Sequence, residues 1–292
     1  MKPAPFAYHD PRTLDEAVGL LASHDNAKLI AGGQSLVPML NMRFVVADHV
    51  VDLNRVAGLS FVRQNGDTLQ IGAMTRQRAL ERDPLVARCA PIVREVLPHV
   101  GHWQTRSRGT IGGSLCHLDP AAELPGIVAL YQGTLHVVGT NGERDVPAAE
   151  WSLGYMTPAL APDEVLTAVS LPLWREPHGH AFVELARRHG DFAVVGAGCL
   201  LAVADRTIRR AAIVLIGVAT APVRLAAAEA ALIGQPATPQ SFKAAAEHAH
   251  AVDCLADAQV SAAYRKRLAA VLVERALAQA ATRANGALDA TH

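Results

Sequence analysis

Lys28-Leu29-Ile30-Ala31-Gly32-Gly33-Gln34-Ser35-Leu36-Val37-Pro38 runs from an apolar, strand-like lead-in through a Gly pair into a new apolar stretch. A second segment of the same kind, Thr110-Ile111-Gly112-Gly113-Ser114, stands eighty positions further on. A Gly pair at such a junction lets the backbone turn where a Cβ would clash, and lets N–H groups approach a ligand closely. The Ser that closes each pair is placed to cap whatever follows. Free N–H donors and a small hydroxyl aimed the same way suit a phosphate. Two such loops suggest a diphosphate held between them, as in a dinucleotide. An isolated Gly-Gly-x-Ser describes many tight turns, and neither a Walker loop nor a G-x-G-x-x-G occurs here. The context of both segments lifts them above that bland reading.

Working outward, residues 1–55 read as a small α/β unit. A helix is expected from Leu14 to about Ser23, then a strand at Lys28–Ile30, the first Gly loop and a strand at His49–Leu53. Pro38 is tolerated because the first helical turn has no amide bonds to lose. From residue 58 a hairpin begins, with Phe61-Val62-Arg63 and Thr68–Ile71 on either side of the turn signal Asn65-Gly66. Helical stretches at about 75–82 and 84–98 precede the second loop. A second hairpin, Thr134–Val138 with Asn141-Gly142 and Val146, leads to a strand at Val165–Leu171, and Pro172, Pro177 and Gly179 mark a linker. Beyond 180, strand-like segments at His180–Arg187 and Ile208–Val218 flank the apolar Phe192–Ala204. Helices then take over at Pro222–Ile233, stopped by Gly234, and at Gln240–Ala251 and Ser261–Ala281. A sheet covered by helices on one face is an α+β arrangement. The chain is expected to fray from about Thr282.

The chain has 292 residues, half of them hydrophobic, enough for two or three modest cores. Lys plus Arg balances Asp plus Glu at 27 each, so no basic stripe offers the counterion release that nucleic-acid binding needs. The start, Met1-Lys2-Pro3-Ala4-Pro5, has no apolar core like a signal peptide's. The longest uncharged apolar runs fall short of the roughly 18 residues a spanning helix needs. The expectation is a soluble, cytoplasmic chain. Cys89, Cys116, Cys199 and Cys254 show no cluster spacing, so iron–sulfur centres, if the system uses them, belong to another chain. The 13 His residues include no H-E-x-x-H or comparable metal spacing. His117, just past the second Gly pair, is read as a packing or hydrogen-bonding residue.

Both loops and their surroundings resemble the flavoprotein subunits of molybdenum hydroxylases, the family of the carbon monoxide dehydrogenase medium chain and the xanthine dehydrogenase FAD domain. The first loop matches from Lys28 to Pro38. The second matches through Gly101-His102, Gln104, Arg106, Arg108-Gly109-Thr110-Ile111-Gly112-Gly113-Ser114-Leu115 and Asp119-Pro120-Ala121-Ala122-Glu123-Leu124-Pro125. Pro5-Phe6-Ala7-Tyr8, Asp15-Glu16-Ala17, Val51-Asp52-Leu53-Asn54 and Ile71-Gly72-Ala73-Met74-Thr75 follow in order. Ala186-Arg187-Arg188-His189-Gly190-Asp191-Phe192-Ala193 and Tyr264-Arg265 extend the match through nearly the whole chain. Three positions depart from it. Ser107 stands where many relatives have Asn, Thr105 where they have Val or Ile, and Glu184 where they commonly carry Lys near the flavin. If Glu184 faces the flavin, it disfavours the anionic reduced form.

The resemblance implies a two-subdomain α/β FAD-binding domain of the vanillyl-alcohol-oxidase type, 1–57 and 58–176. A C-terminal α+β domain, 177–285, follows. It implies FAD contacts from Lys28, Leu29, Ile30, Ala31, Gly32, Gly33, Gln34 and Ser35, and from Thr110, Ile111, Gly112, Gly113 and Ser114. Glu123 would bond the flavin side, and Leu166 joins the same site. The implied partners are a large molybdopterin subunit and a small subunit with two [2Fe–2S] clusters, assembled as a dimer of heterotrimers. Electrons would arrive from the nearest cluster and leave to NAD⁺, a quinone, oxygen or a carrier protein. No catalytic residue and no metal ligand is expected on this chain. Two rival readings are a self-sufficient FAD-dependent oxidase or reductase and a flavin-binding interaction module without turnover.

Overall fold

The computed structural model describes residues 1–289. Its first unit alternates β1 (Ala7–His9), α1 (Leu14–Ser23), β2 (Ala27–Ile30), α2 (Leu36–Met42) and β3 (His49–Asp52). The three strands pair in parallel in the order β1-β3-β2. The start of α1 is fixed by a capping box: Thr13 Oγ1 accepts the Glu16 N–H, and the Glu16 carboxylate accepts from Thr13 N. Ala17, Val18 and Leu21 on its buried side pack on Val51 and Leu53.

The second unit opens with the hairpin β4 (Val62–Asn65) and β5 (Thr68–Gly72). Asn65 pairs with Thr68, so the two-residue turn is Gly66-Asp67, one position beyond the expected Asn65-Gly66; Gly66 supplies the positive φ of 56°. The helix expected over 84–98 is broken. Short helices α3 (Gln77–Arg82), α4 (Pro84–Cys89) and α5 (Pro91–Val96) follow one another, because Pro91 cannot continue α4 and instead opens α5. Then come α6 (Trp103–Arg108), α7 (Ile111–His117) and α8 (Glu123–Leu130), strands β6 (Thr134–Gly139) and β7 (Gly142–Pro147), the small pair β8 (Ser152–Gly154) and β9 (Thr157–Pro158), and β10 (Val165–Pro172). The sheet is antiparallel, in the order β4-β5-β10-β6-β7.

The third unit is an antiparallel sheet of β11 (Gly179–Ala186), β12 (Ala193–Ala204), β13 (Thr207–Ile216) and β14 (Val223–Arg224), followed by α9 (Ala226–Leu232), α10 (Pro239–Ala246) and α11 (Ala262–Asp289). The helix expected over Pro222–Ile233 therefore starts late, since Val223 and Arg224 pair with β13 first. Fraying from Thr282 is also not observed. Arg283 donates to Glu95 at 2.6 Å and to the His180 carbonyl at 2.7 Å, which holds α11 helical to Asp289; residues beyond that lie outside the described chain.

One correction bears on the architecture. The sheet is covered on both faces. Along β13, Ala211, Ile213 and Leu215 pack with α9, α10 and α11, while Ala212, Val214 and Ile216 join the core formed by the second unit. A strand buried on both sides reads as a continuous apolar run, which is why Phe192–Ala204 carries no alternation. Helix α8 lies on the inner face, so close that a Cβ on Gly126 would sit 2.5 Å from Ile216 Cγ2.

Candidate functional site

The two Gly loops meet. A Cβ on Gly32 would fall 2.2 Å from the Arg108 carbonyl oxygen, and one on Gly113 would be 3.7 Å from the Ala31 Cβ. Asn54 Nδ2 donates to the Ala31 carbonyl at 2.8 Å, and Arg76 bridges Asn54 Oδ1 to the Arg108 carbonyl. Asn54 thus has a role in the match quoted above. Arg76 escaped the sequence reading; its only signal was its place directly after Thr75.

The loops differ in what their amides do. At the first, Gly33 turns the chain with a φ of 73°, and α2 starts three residues later. Among the described residues, nothing accepts from the N–H groups of Gly32, Gly33, Gln34 or Ser35. Ser35 occupies the N-cap position, but its hydroxyl makes no capping bond, contrary to the expected role. At the second, the Gly pair lies inside the first turn of α7, and the cap is Thr110, not Ser114. Ile111 N donates to the Thr75 carbonyl at 3.1 Å and Gly112 N to the Ala73 carbonyl at 2.8 Å. Gly113 N donates to Thr110 Oγ1 at 3.0 Å and Ser114 N to the Thr110 carbonyl at 3.2 Å. The expectation of free amides holds at the first loop and fails at the second. There the glycines serve close packing: a Cβ on Gly112 would lie 2.6 Å from the Ala73 Cβ.

The segment leading into the second loop is organised by Arg106. Its buried guanidinium pairs with Glu81 at 3.2 Å and donates to the carbonyls of Val100 and Gly101. Beyond the loop, Trp151 Nε1 donates to the Leu115 carbonyl at 2.8 Å and pins α7.

Glu123, the first residue of α8, belongs to a buried acidic group rather than to the loops. Its residue is 6% exposed, and burial pushes its carboxyl up to about 8; its own backbone N–H opposes the rise and nearby Glu184 adds to it. Glu184 sits on β11 with a side chain 4% exposed, and its Oε1 lies 3.1 Å from His99 Nδ1. That bond raises the His99 pKa, against the desolvation of the ring. Glu184 Oε2 has no partner among the described residues. The Glu184 carboxyl, one of the three departures from the family resemblance, is thus engaged by an imidazole.

Among the other expected contacts, Lys28 has an exposed side chain on β2, and Leu166 is buried in the core of the second unit. His117 is kept neutral by burial. The Cys116 thiol is pushed up to about 12 by burial, so it is no thiolate at neutral pH.

The residues present fit a dinucleotide at the first loop. Four successive N–H groups at a glycine turn, those of Gly32 to Ser35, meet no acceptor among the described residues and are free for an anionic group. Residues 4–174 match the FAD-binding domain of molybdopterin dehydrogenases, and residues 180–280 match the C-terminal domain of the CO dehydrogenase flavoprotein. The chain belongs to the FAD-binding medium subunits of the molybdenum hydroxylases. It is 37% identical to the caffeine dehydrogenase subunit beta of Pseudomonas sp. (strain CBB1), over 97% of each chain. It is 34% identical to the carbon monoxide dehydrogenase medium chain of Hydrogenophaga pseudoflava, over 95% of this chain and 97% of that one. Carbon monoxide dehydrogenase from H. pseudoflava superposes with a TM-score of 0.93 at 36% identity, over 97% of this chain and 99% of its own. Quinoline 2-oxidoreductase from Pseudomonas putida 86 superposes with a TM-score of 0.93 at 34% identity, over 98% and 99%. As a family member the chain is an oxidoreductase subunit with an FAD-binding domain. No helix among the described residues is long and apolar enough to cross a membrane.

Proposed function

We propose that this chain is the FAD-carrying electron-transfer subunit of a three-subunit molybdenum hydroxylase. It passes electrons from [2Fe–2S] clusters on a small partner, through its cofactor, to an external acceptor. A large molybdopterin subunit oxidises the substrate, the assembly is a dimer of heterotrimers, and the complex works in the cytoplasm. The observation that carries this reading is the amide cradle of Gly32, Gly33, Gln34 and Ser35, set against the second loop in a chain that matches this family along its length.

When bound, FAD supplies the electron exchange itself. The chain holds and shields it. The N–H groups of Gly32, Gly33, Gln34 and Ser35 would hold its diphosphate, and charge-assisted bonds of this kind are the strong ones. Ala31, Thr110, Ile111, Gly112, Gly113 and Ser114 form the wall that aligns the cradle, with Lys28, Leu29 and Ile30 as the strand feeding it and Leu166 backing the core. Glu123 holds a proton at its carboxyl and can donate it to an acceptor on the flavin side. Glu184 and His99 set the charge there. No residue of this chain is assigned as catalytic or as a ligand of molybdenum or iron. The units 1–57, 58–176 and 177–285 are the domains this division of labour implies.

Affinity purification from the native source, with metal and flavin analysis, tests the reading. Large and small chains carrying molybdenum and iron, co-purifying in equal amounts with this one and its FAD, are expected. A lone chain that turns over an organic substrate would make it a self-sufficient flavoenzyme. A lone inert chain would make it a binding module.

A further inference from the structure

Three histidines from separate segments converge on the first unit. His9 ends β1, His24 follows the last residue of α1, and His49 opens β3. One nitrogen from each lies within 4.8 Å of the other two. The parallel register, Ala7 with His49 and His9 with Val51, puts His9 and His49 on one face of the sheet, and His9 Nε2 stands 3.0 Å from His49 Nδ1. The His24 ring is 4.2 Å from the His49 ring and 5.0 Å from the His9 ring, centroid to centroid. All three residues are half-buried, so the cluster opens to solvent on one side.

We propose that His9, His24 and His49 form a binding site for a divalent transition ion of the zinc class. Three features favour a metal over packing. His24 Nδ1 lies 3.0 Å from the Leu20 carbonyl and 3.0 Å from the Ser23 hydroxyl, and the carbonyl, which can only accept, favours the tautomer with the proton on Nδ1 and a lone pair on Nε2. A backbone carbonyl on the far nitrogen is how ligating imidazoles are oriented. Zn–N bonds of about 2.0–2.1 Å at tetrahedral angles separate ligand nitrogens by about 3.3 Å, close to the spacing already present between His9 and His49. No carboxylate or thiol joins the group among the described residues, and an all-imidazole set suits zinc, cobalt, nickel and copper rather than magnesium or calcium. The fourth position is left for water.

The site lies apart from the cofactor cradle. His24 precedes β2 and His49 begins β3, whereas Gly32 follows the end of β2, so the two lie toward opposite ends of the same sheet. A bound ion ties β1, the C-terminal end of α1 and β3 together. It stabilises the folded chain by mass action, since the unfolded chain does not present the three nitrogens together.

The test uses the full chain without an affinity tag, stripped with chelator and titrated with Zn²⁺ by calorimetry and with Co²⁺ by absorption. One equivalent per chain, the ligand-field bands of a low-coordinate cobalt and a higher melting temperature with Zn²⁺ are expected. His9→Gln, His24→Gln and His49→Gln should each weaken binding at least about tenfold, the triple variant should show none, and His250→Gln should bind as the parent does. Absence of saturable binding in the parent, or one equivalent retained by the triple variant, overturns the site. Imidazole NMR signals of the unmodified chain guard against misfolded variants. Zn²⁺ must shift His9, His24 and His49 together, and movement of other histidines instead overturns the proposal.

Discussion

The segments Ala31–Ser35 and Thr110–Ser114 share a Gly pair followed, at once or one residue on, by Ser, and they lie against each other, yet their amides have opposite fates. In the first, the N–H groups of Gly32, Gly33, Gln34 and Ser35 are unclaimed among the described residues. In the second, those of Ile111, Gly112, Gly113 and Ser114 all go to Thr75, Ala73 and Thr110. Glycine serves the first by allowing a φ of 73° at Gly33 and the second by allowing close approach to Ala73. The same dipeptide therefore marks a donor site in one place and a packing joint in the other. What separates them is whether the following helix receives its N-terminal bonds from the protein.

The strongest way to break this comparison is Gly33→Val. A β-branched residue at a φ of 73°, pressed against Val37 and Ile30, deforms the cradle. Losing even two charge-assisted amide bonds at about 1.5–3 kcal/mol each weakens FAD binding at least about a hundredfold. Flavin content per chain, with circular dichroism for folding, checks it; a folded variant with full FAD removes the cradle assignment. Gly112→Val should act on the fold instead, costing about 1–3 kcal/mol of stability from overpacking against Ala73. Thermal melts without flavin should separate the two variants, and equal stability of Gly112→Val and the parent would deny the joint.

A smaller effect concerns the carboxyl just beyond the second loop. Glu123 has a folded-state pKa of about 8 against an ordinary 4.5, so between those values the folded chain holds a proton that the unfolded chain releases. Its neutral form costs nothing below pH 4.5, and stability is lost as pH rises toward 8. In flavin-free protein, Glu123→Gln should therefore match the parent near pH 4.5 and exceed it above pH 8, as denaturant titrations across that range would show. An unchanged difference across the range would mean the carboxyl is not desolvated. The smallest effect belongs to Cys116→Ser. With no thiolate to lose, FAD content should stay within error of the parent, and a large drop would place the sulfur in the site.

Much of this was legible in the residues. The helix from Leu14 to Ser23, the strand at Lys28–Ile30 and the strand at Val165–Leu171 follow the expected bounds to within a residue, because periodicity and turn residues agree there. The family, its cofactor and the loop sequences were legible too. The state of the second loop was not. A Gly pair reads as a break, and only tertiary partners on Ala73 and Thr75 show that it is helical. Helix α8, with Pro125 and Gly126 in its first turns, lacks a local helical signal and is held by burial against β13. The three histidines lie 15 and 25 positions apart in the chain, so no spacing rule for metal ligands reveals them.

Burial of α8 against Ile216 has a consequence for how the subunit is made. Gly126 leaves the ribosome 90 residues before Ile216, the difference of their positions. At about 5–20 residues per second, the apolar face of α8 is bare for roughly 5–20 s before β13 exists to cover it. Slow codons between the two would lengthen the exposure, and lower the yield of soluble subunit, without altering any residue of the finished molecule.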